Sequence, residues 1–186
     1  MKKFLTLLLV LLSGLSAYAG GPKIVIDKVE EDGSRVVFTS EETLYTTWSS
    51  GSSFGLSATV AKDGSVLYFL NLTLNEGDIT MEKGRKLLLK LKSGETIELQ
   101  ISNPIGPGDY TIHQSSLGID HLYHPFYPIS EEVIQKLLKD DVVKVRVEDD
   151  AEHYDRNVKK FMKRFNELYK LLTETLATSN SVYDNF

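Results

Sequence analysis

Apolar and polar positions alternate most regularly between Arg85 and Ser102, RKLLLKLKSGETIELQIS. Leu87, Leu89 and Leu91 alternate with Lys86, Lys90 and Lys92. Beyond Ser93-Gly94, Ile97, Leu99 and Ile101 alternate with Thr96, Glu98 and Gln100. A period of two on both sides of a glycine turn predicts a hairpin with one aliphatic face. The other face sets lysines across from Glu98 and Gln100, a pairing that antiparallel strands favour. This hairpin is the expected centre of the sheet.

The same pattern, interrupted by turn residues, runs along most of the chain. KIVIDKVEE from Lys23 predicts a strand, Asp32-Gly33-Ser34 a turn, and RVVFTS the returning strand. Leu44–Trp48 reads as a short strand and Ser49–Ser53 as a Ser/Gly loop. Phe54–Lys62 and Ser65–Asn75 flank Asp63-Gly64, a hairpin dipeptide. The continuous apolar run Val66–Leu70 predicts a strand covered on both faces. Asn103–Gly108 is rich in breakers, Tyr110–Gln114 is a brief strand, and Ser115–Pro128 reads as irregular and aromatic. Ser130 predicts the cap of a short helix with Glu131 and Glu132 in its first turn. Its expected buried face is Val133, Ile134, Leu137 and Leu138, and Val143, Val145 and Val147 mark a last strand.

From Ala151 to Ala177 the period changes. Tyr154, Val158, Phe161, Phe165, Leu168 and Leu172 recur at spacings of four and three, the signature of one helical stripe. The opposite side carries Arg156, Lys159, Lys160, Lys163, Arg164 and Lys170. The stripe fits about three heptads, too few to identify a coiled coil, so packing across the chain's own sheet is expected. Acidic Glu152, Asp155, Glu167 and Glu174 dilute the basic face, which reads as solvated rather than membrane-seeking. Residues 179–186 read as a flexible tail. Together these elements predict an α+β, mostly β chain: an antiparallel β-sandwich or partly open barrel with a short helix and a long C-terminal helix.

Composition adds an expected address. Lys2 and Lys3, the apolar run Phe4–Leu12 and Ala17-Tyr18-Ala19 have the form of a secretory signal peptide over residues 1–19. Residues 20–178, including helix 151–177, then form a single β-rich domain. Loss of Lys2 and Lys3 leaves 19 basic against 26 acidic residues, a net charge of −7. That balance speaks against nucleic-acid binding, which needs clustered Lys and Arg. There is no cysteine, hence neither a disulfide nor an N-terminal cysteine for a lipid anchor. A bacterial periplasmic or released monomer, without a transmembrane segment in the mature chain, is the expectation.

Candidate chemistry is sparse. Gly51-Ser52-Ser53-Phe54-Gly55 matches the G-x-S-x-G nucleophile elbow. That elbow needs a helix directly after the serine, whereas Leu56–Val60 alternates like a strand. His121-Leu122-Tyr123-His124 beside Asp120 is an H-x-x-H pair, with His113 and His153 as further imidazoles. Zinc needs three or four ligands, so the pair reads as loop histidines and no metal or cofactor is assigned. Asn71-Leu72-Thr73 matches a glycosylation sequon but falls inside a strand. Tyr123, Phe126 and Tyr127 crowd the same stretch as the histidines. They either cover an open end of the core or, exposed, stack on a ligand. The candidate binding residues are therefore Asp120, His121, Tyr123, His124, Phe126 and Tyr127. The leading expectation is a secreted or periplasmic, non-enzymatic binding module for a protein, a glycan or a small apolar ligand. The alternatives are a barrel-type carrier of an apolar ligand and a small hydrolase using the His/Asp cluster of residues 113–124.

Overall fold

The computed structural model describes residues 21–47, 51–75, 79–82, 84–106, 108–115 and 118–183. The expected signal peptide, Trp48 to Ser50 and the last three residues of the expected tail lie outside them.

Every strand pairing is antiparallel, and the mostly β architecture with two helices is as expected. The first sheet has the order β1 (Ile24–Val29), β2 (Arg35–Thr39), β4 (Gly51–Val60), β5 (Val66–Thr73), β10 (Phe126–Ile129), and β3 (Glu42–Thr46) also pairs with β4. Long β4 thus serves two neighbours: its C-terminal half pairs with β2 and its N-terminal half with β3. The second sheet has the order β12 (His153–Asn157), β11 (Val142–Glu148), β6 (Lys86–Leu91), β7 (Thr96–Gln100). β8 (Thr111–Ser115) and β9 (Gly118–Leu122) form a separate two-stranded arm. The two larger sheets meet where the chain leaves β7: the Ser102 N–H donates to the Phe126 carbonyl at 2.9 Å. An open sandwich or open barrel describes this arrangement; the barrel is not closed.

The Arg85–Ser102 hairpin forms β6 and β7 as predicted. Leu87, Leu89, Leu91, Ile97, Leu99 and Ile101 are all buried, and Lys86 pairs with Glu98 at 3.0 Å. Its turn works because Gly94 sits at φ 99°, where a Cβ would be strained. Asp63-Gly64 turns β4 into β5 in the same way, with Gly64 at φ 82°. Helix α1 (Glu131–Lys139) begins at Ser130, whose Oγ accepts from the Val133 N–H, and it buries Ile134 and Leu137.

Helix α2 (Phe161–Tyr183) lays Phe161, Phe165, Leu168 and Leu172 against β2 and β4, all four fully buried. Phe161 stacks on Phe54 of β4 at 4.5 Å, and Asp141 Oδ1 caps the helix start through the Met162 N–H. The stripe therefore belongs to the chain's own core.

Five expectations about the elements change. The helix does not begin at Ala151: Asp149 accepts from the N–H groups of Ala151 and Glu152, closes a tight turn, and sends His153–Asn157 back along β11 as a strand. Asp155 then bonds Arg146 and Lys144 across the ladder, so the spacing of Tyr154 and Val158 belongs to β12 and its exit. At its other end the helix continues to Tyr183, through part of the expected tail. Gly51–Ser53 belongs to β4 rather than to a loop. The stretch 115–128 is not irregular, because it supplies β9 and the start of β10, where Pro128 is tolerated on an edge strand. Finally, β5 is not covered on both faces along its length. The helix covers one face only, and Leu67, pointing the other way, is 60% exposed.

Candidate functional site

Strand alternation sends Phe54, Leu56, Ala58, Leu70 and Leu72 toward α2 and sends Ser53, Ser57, Asn71 and Thr73 to the opposite face. By its pattern that face should be wet. It is instead enclosed: Ser57, Asn71 and Thr73 are buried. The sheet curls far enough for Phe38 of β2 and Phe126 of β10 to meet edge to face at 6.1 Å, although β4 and β5 lie between them in the sheet. Below the two rings, Ser57 Oγ donates to Asn71 Oδ1 at 3.1 Å.

The corner between β2 and β3 closes one end of this crevice. Thr39 Oγ1 accepts from the Leu56 N–H at 2.9 Å and donates to the Leu56 carbonyl at 3.1 Å, so one side chain satisfies both backbone groups. The corner lies directly against β4 at Gly55, where a Cβ would stand in ordinary contact, 3.4 Å from the Ser40 carbonyl and 3.6 Å from Glu41 Cγ. Glu41 is thereby held over β4 and β5. It accepts from Ser53 Oγ and from Thr73 Oγ1, the latter at 2.5 Å.

His124 joins this carboxylate from the far side. Its Nδ1 lies 3.1 Å from Thr73 Oγ1 and its Nε2 lies 2.8 Å from Thr111 Oγ1, at the first residue of β8. The donor inventory assigns the protons. A carboxylate only accepts, so Thr73 donates its hydroxyl proton to Glu41 and accepts from Nδ1–H. Nε2 is then the acceptor for the Thr111 hydroxyl. Every member of the chain Ser53, Glu41, Thr73, His124, Thr111 is satisfied with a neutral imidazole. Burial holds the His124 pKa below the ordinary histidine value, and the negative charge of Glu41 opposes that shift. Between Phe38, Glu41, Asn71, His124 and Phe126 remains a cavity of about 10 Å³. That is about the space of one water.

Of the residues singled out from sequence, this places His124 and Phe126 at the crevice. Tyr123, Phe126 and Tyr127 are core residues at 2%, 8% and 0% exposure, so they present no open aromatic surface. Their burial follows from position: Tyr123 bridges to Leu74, and Phe126 and Tyr127 lie in a strand packed beside β5. His121 and Asp120 lie on the arm. The His121 ring stacks on Tyr110 at 3.9 Å, and Asp120 stands opposite His113 in the ladder. The H-x-x-H pair is thus divided between arm and crevice. Among the described residues no three His, Asp or Glu side chains converge on a metal position. Ser53, the serine of G-x-S-x-G, is in a strand and bonds Glu41 rather than a histidine. Asn71 of the sequon is enclosed. Glu41, Thr73 and Thr111 were not legible as partners of His124, because they are isolated polar residues brought together only by non-local pairing.

The arm is the second feature. Opposed residues share a face, which places Tyr110, Ile112, Ile119 and His121 together. From Tyr123, buried at its root and edge-on to Tyr110 at 5.9 Å, this face runs out to Ile112 and Ile119, 63% and 68% exposed. Among the described residues, no helix is long and apolar enough to cross a membrane. Comparison of the chain with protein-family models, curated proteins and solved structures finds no match.

Proposed function

We propose that this chain is a non-enzymatic binding module, exported from the cytoplasm, whose contact surface is the β8–β9 arm. The observation that carries the reading is the exposure of Ile112 and Ile119, diagonal neighbours on one face of a two-stranded sheet. A hairpin alone is marginal in water, and exposed aliphatic side chains on it favour contact with a partner. Asp120 and His121, candidates from the sequence, lie on the same arm. The export part rests on the leader-like residues 1–19. The carrier alternative has little to rest on beside His124, where the cavity has the size of one water. A groove of about 290 Å³ near Leu91 and Glu95 is lined mainly by charged side chains, among them Glu132, Lys136 and Lys139 of α1.

Site-specific photo-crosslinking tests the proposal. A crosslinking residue at Ile119 of the full chain, exposed to the extracellular fraction of the native source, should give one dominant adduct. Excess unmodified protein should compete that adduct away. The same residue at Leu67, equally exposed but on β5, should not give it. Equal adducts at both positions, or none at Ile119, would overturn the reading.

A hydrolytic reading has one observation in its favour. Thr111 Oγ1 reaches a neutral imidazole at 2.8 Å, and that ring is oriented through Thr73 toward Glu41. This has the nucleophile, base and orienting-group order of covalent hydrolases. Turnover of p-nitrophenyl acetate that Thr111→Val removes would favour it; turnover retained in that variant would discard it.

A further inference from the structure

We infer that His124 is a pH-sensitive latch that fixes the root of the β8–β9 arm to the first sheet. The inference deepens the proposal that the arm is the contact surface, because it states what governs the arm's attachment. The two strands of the arm are held in different ways. At β9, the backbone does the holding: Tyr123 and Leu74 exchange N–H to carbonyl bonds at 3.0 and 2.9 Å. At β8, Thr111 is tied through its side chain to the His124 ring, and the ring to Thr73 of β5.

The groups that face the ring decide what a proton does there. Thr73 presents a hydroxyl from β5, Thr111 a hydroxyl from β8, and the corner before β3 presents the Glu41 carboxylate beyond Thr73. Asn103, just after β7, meets the His124 backbone carbonyl through Nδ2 at 3.2 Å. Of these groups only Glu41 carries charge; it bonds Thr73, and its negative charge opposes the depression of the His124 pKa. A second ring proton goes to Nε2 and removes the acceptor that Thr111 uses. The Thr111 hydroxyl must then turn its proton elsewhere, and an enclosed imidazolium loses its hydration.

The direction of the pH dependence follows. With the arm attached, His124 is enclosed and its pKa is depressed; with the root open, the ring is solvated and titrates near 6.5. The open form therefore binds more protons below that value. Attachment is complete above about pH 6.5 and weakens as pH falls toward the depressed value. The latch closes at neutral pH and releases in acid.

Hydrogen exchange on the full chain at pH 7.5 and 5.0, corrected for intrinsic exchange, tests this. Protection of the β8–β9 amides relative to the β6–β7 amides should fall in acid by up to about thirtyfold, since pH 5.0 lies about 1.5 units below the solvated imidazole value. Thr111→Val, which keeps the β-branched shape but removes the hydroxyl donor, should release the arm at both pH values and leave β6–β7 protected. Arm protection that is independent of pH in the parent chain would overturn the inference. So would a parent-like pH response in Thr111→Val. These outcomes need no partner, so they are separate from the crosslinking result: a latch without adducts removes the contact surface, and adducts without a latch remove only the latch.

Discussion

Replacing Phe161 by Ala tests whether α2 is part of the core or a detachable arm. Phe161 is fully buried, stacked on Phe54 at 4.5 Å and near-parallel to Phe165 at 5.7 Å. A buried Phe→Ala change costs about 3–5 kcal/mol. Loss of two ring contacts, each worth about 0.5–1.5 kcal/mol, places this site in the upper part of that range. A domain holds only about 5–15 kcal/mol in all. With a urea m-value on the order of 2 kcal/mol/M, the midpoint should fall by about 2–2.5 M. Urea unfolding followed by far-UV circular dichroism, with light scattering to report the oligomeric state, reads both quantities. Phe161→Leu, which keeps most of the volume, should recover more than half of the loss. A midpoint within about 0.3 M of the parent would refute the packing argument. The same holds for a variant that unfolds normally but changes from dimer to monomer, because then the stripe would be a seam between chains.

Leu89→Ala, in the middle of β6, should cost about 2–5 kcal/mol in a thermal melt, and an unchanged melt would mean the wrong face of the hairpin is inward. Ser130→Ala removes the cap that accepts from Val133 and should cost about 0.5–2 kcal/mol, measured by urea unfolding. Joint replacement of Tyr123, Phe126 and Tyr127 by Ala should abolish cooperative unfolding in calorimetry; a folded, merely non-binding variant would return these rings to the surface. The pairing of Asp155 with Arg146 and Lys144 holds its carboxyl well below the ordinary value. Stability from this pair is full above the ordinary carboxylate range and is lost as pH falls through the depressed value. Asp155→Asn should therefore flatten the acid limb of a stability–pH curve measured by urea midpoints.

What the sequence made legible is what is local. The β6–β7 hairpin, the Asp63-Gly64 turn, the Ser130 cap and the stripe from Phe161 to Leu172 each depend on residues within a few positions of one another. The start of α2 failed for a local reason as well. Spacings of four and three across Tyr154, Val158 and Phe161 imitate a helix, but Asp149 caps a turn first and β11 offers a ladder to Tyr154. Turn chemistry at one aspartate outweighed the period of three apolar residues.

The site was illegible for a different reason. Ser57, Asn71 and Thr73 alternate with Leu56, Leu70 and Leu72, and alternation of that kind normally separates a wet face from a dry one. Here the sheet carries α2 on the leucine side and still encloses the polar side, because curling brings Phe38 against Phe126 and folds Glu41 back over Gly55. Polar groups can be enclosed at little cost only when each finds a partner. That requirement explains the run of hydroxyls, one carboxylate and one imidazole between Ser53 and Thr111. Thr73 lies 32 residues from Glu41 and 51 from His124, so no window of the chain contains the network. His124 could be named from sequence as chemistry-bearing, whereas what it does depends on partners that only the curl of the sheet assembles. The arm repeats the point in reverse. Ile112 lies in an expected strand and Ile119 in a stretch that reads as irregular, yet both belong to an arm that leaves the sheets and exposes them. The polar residues enclosed and the apolar residues exposed meet at Thr111, and that junction is where the binding reading and its control by pH can both be tested.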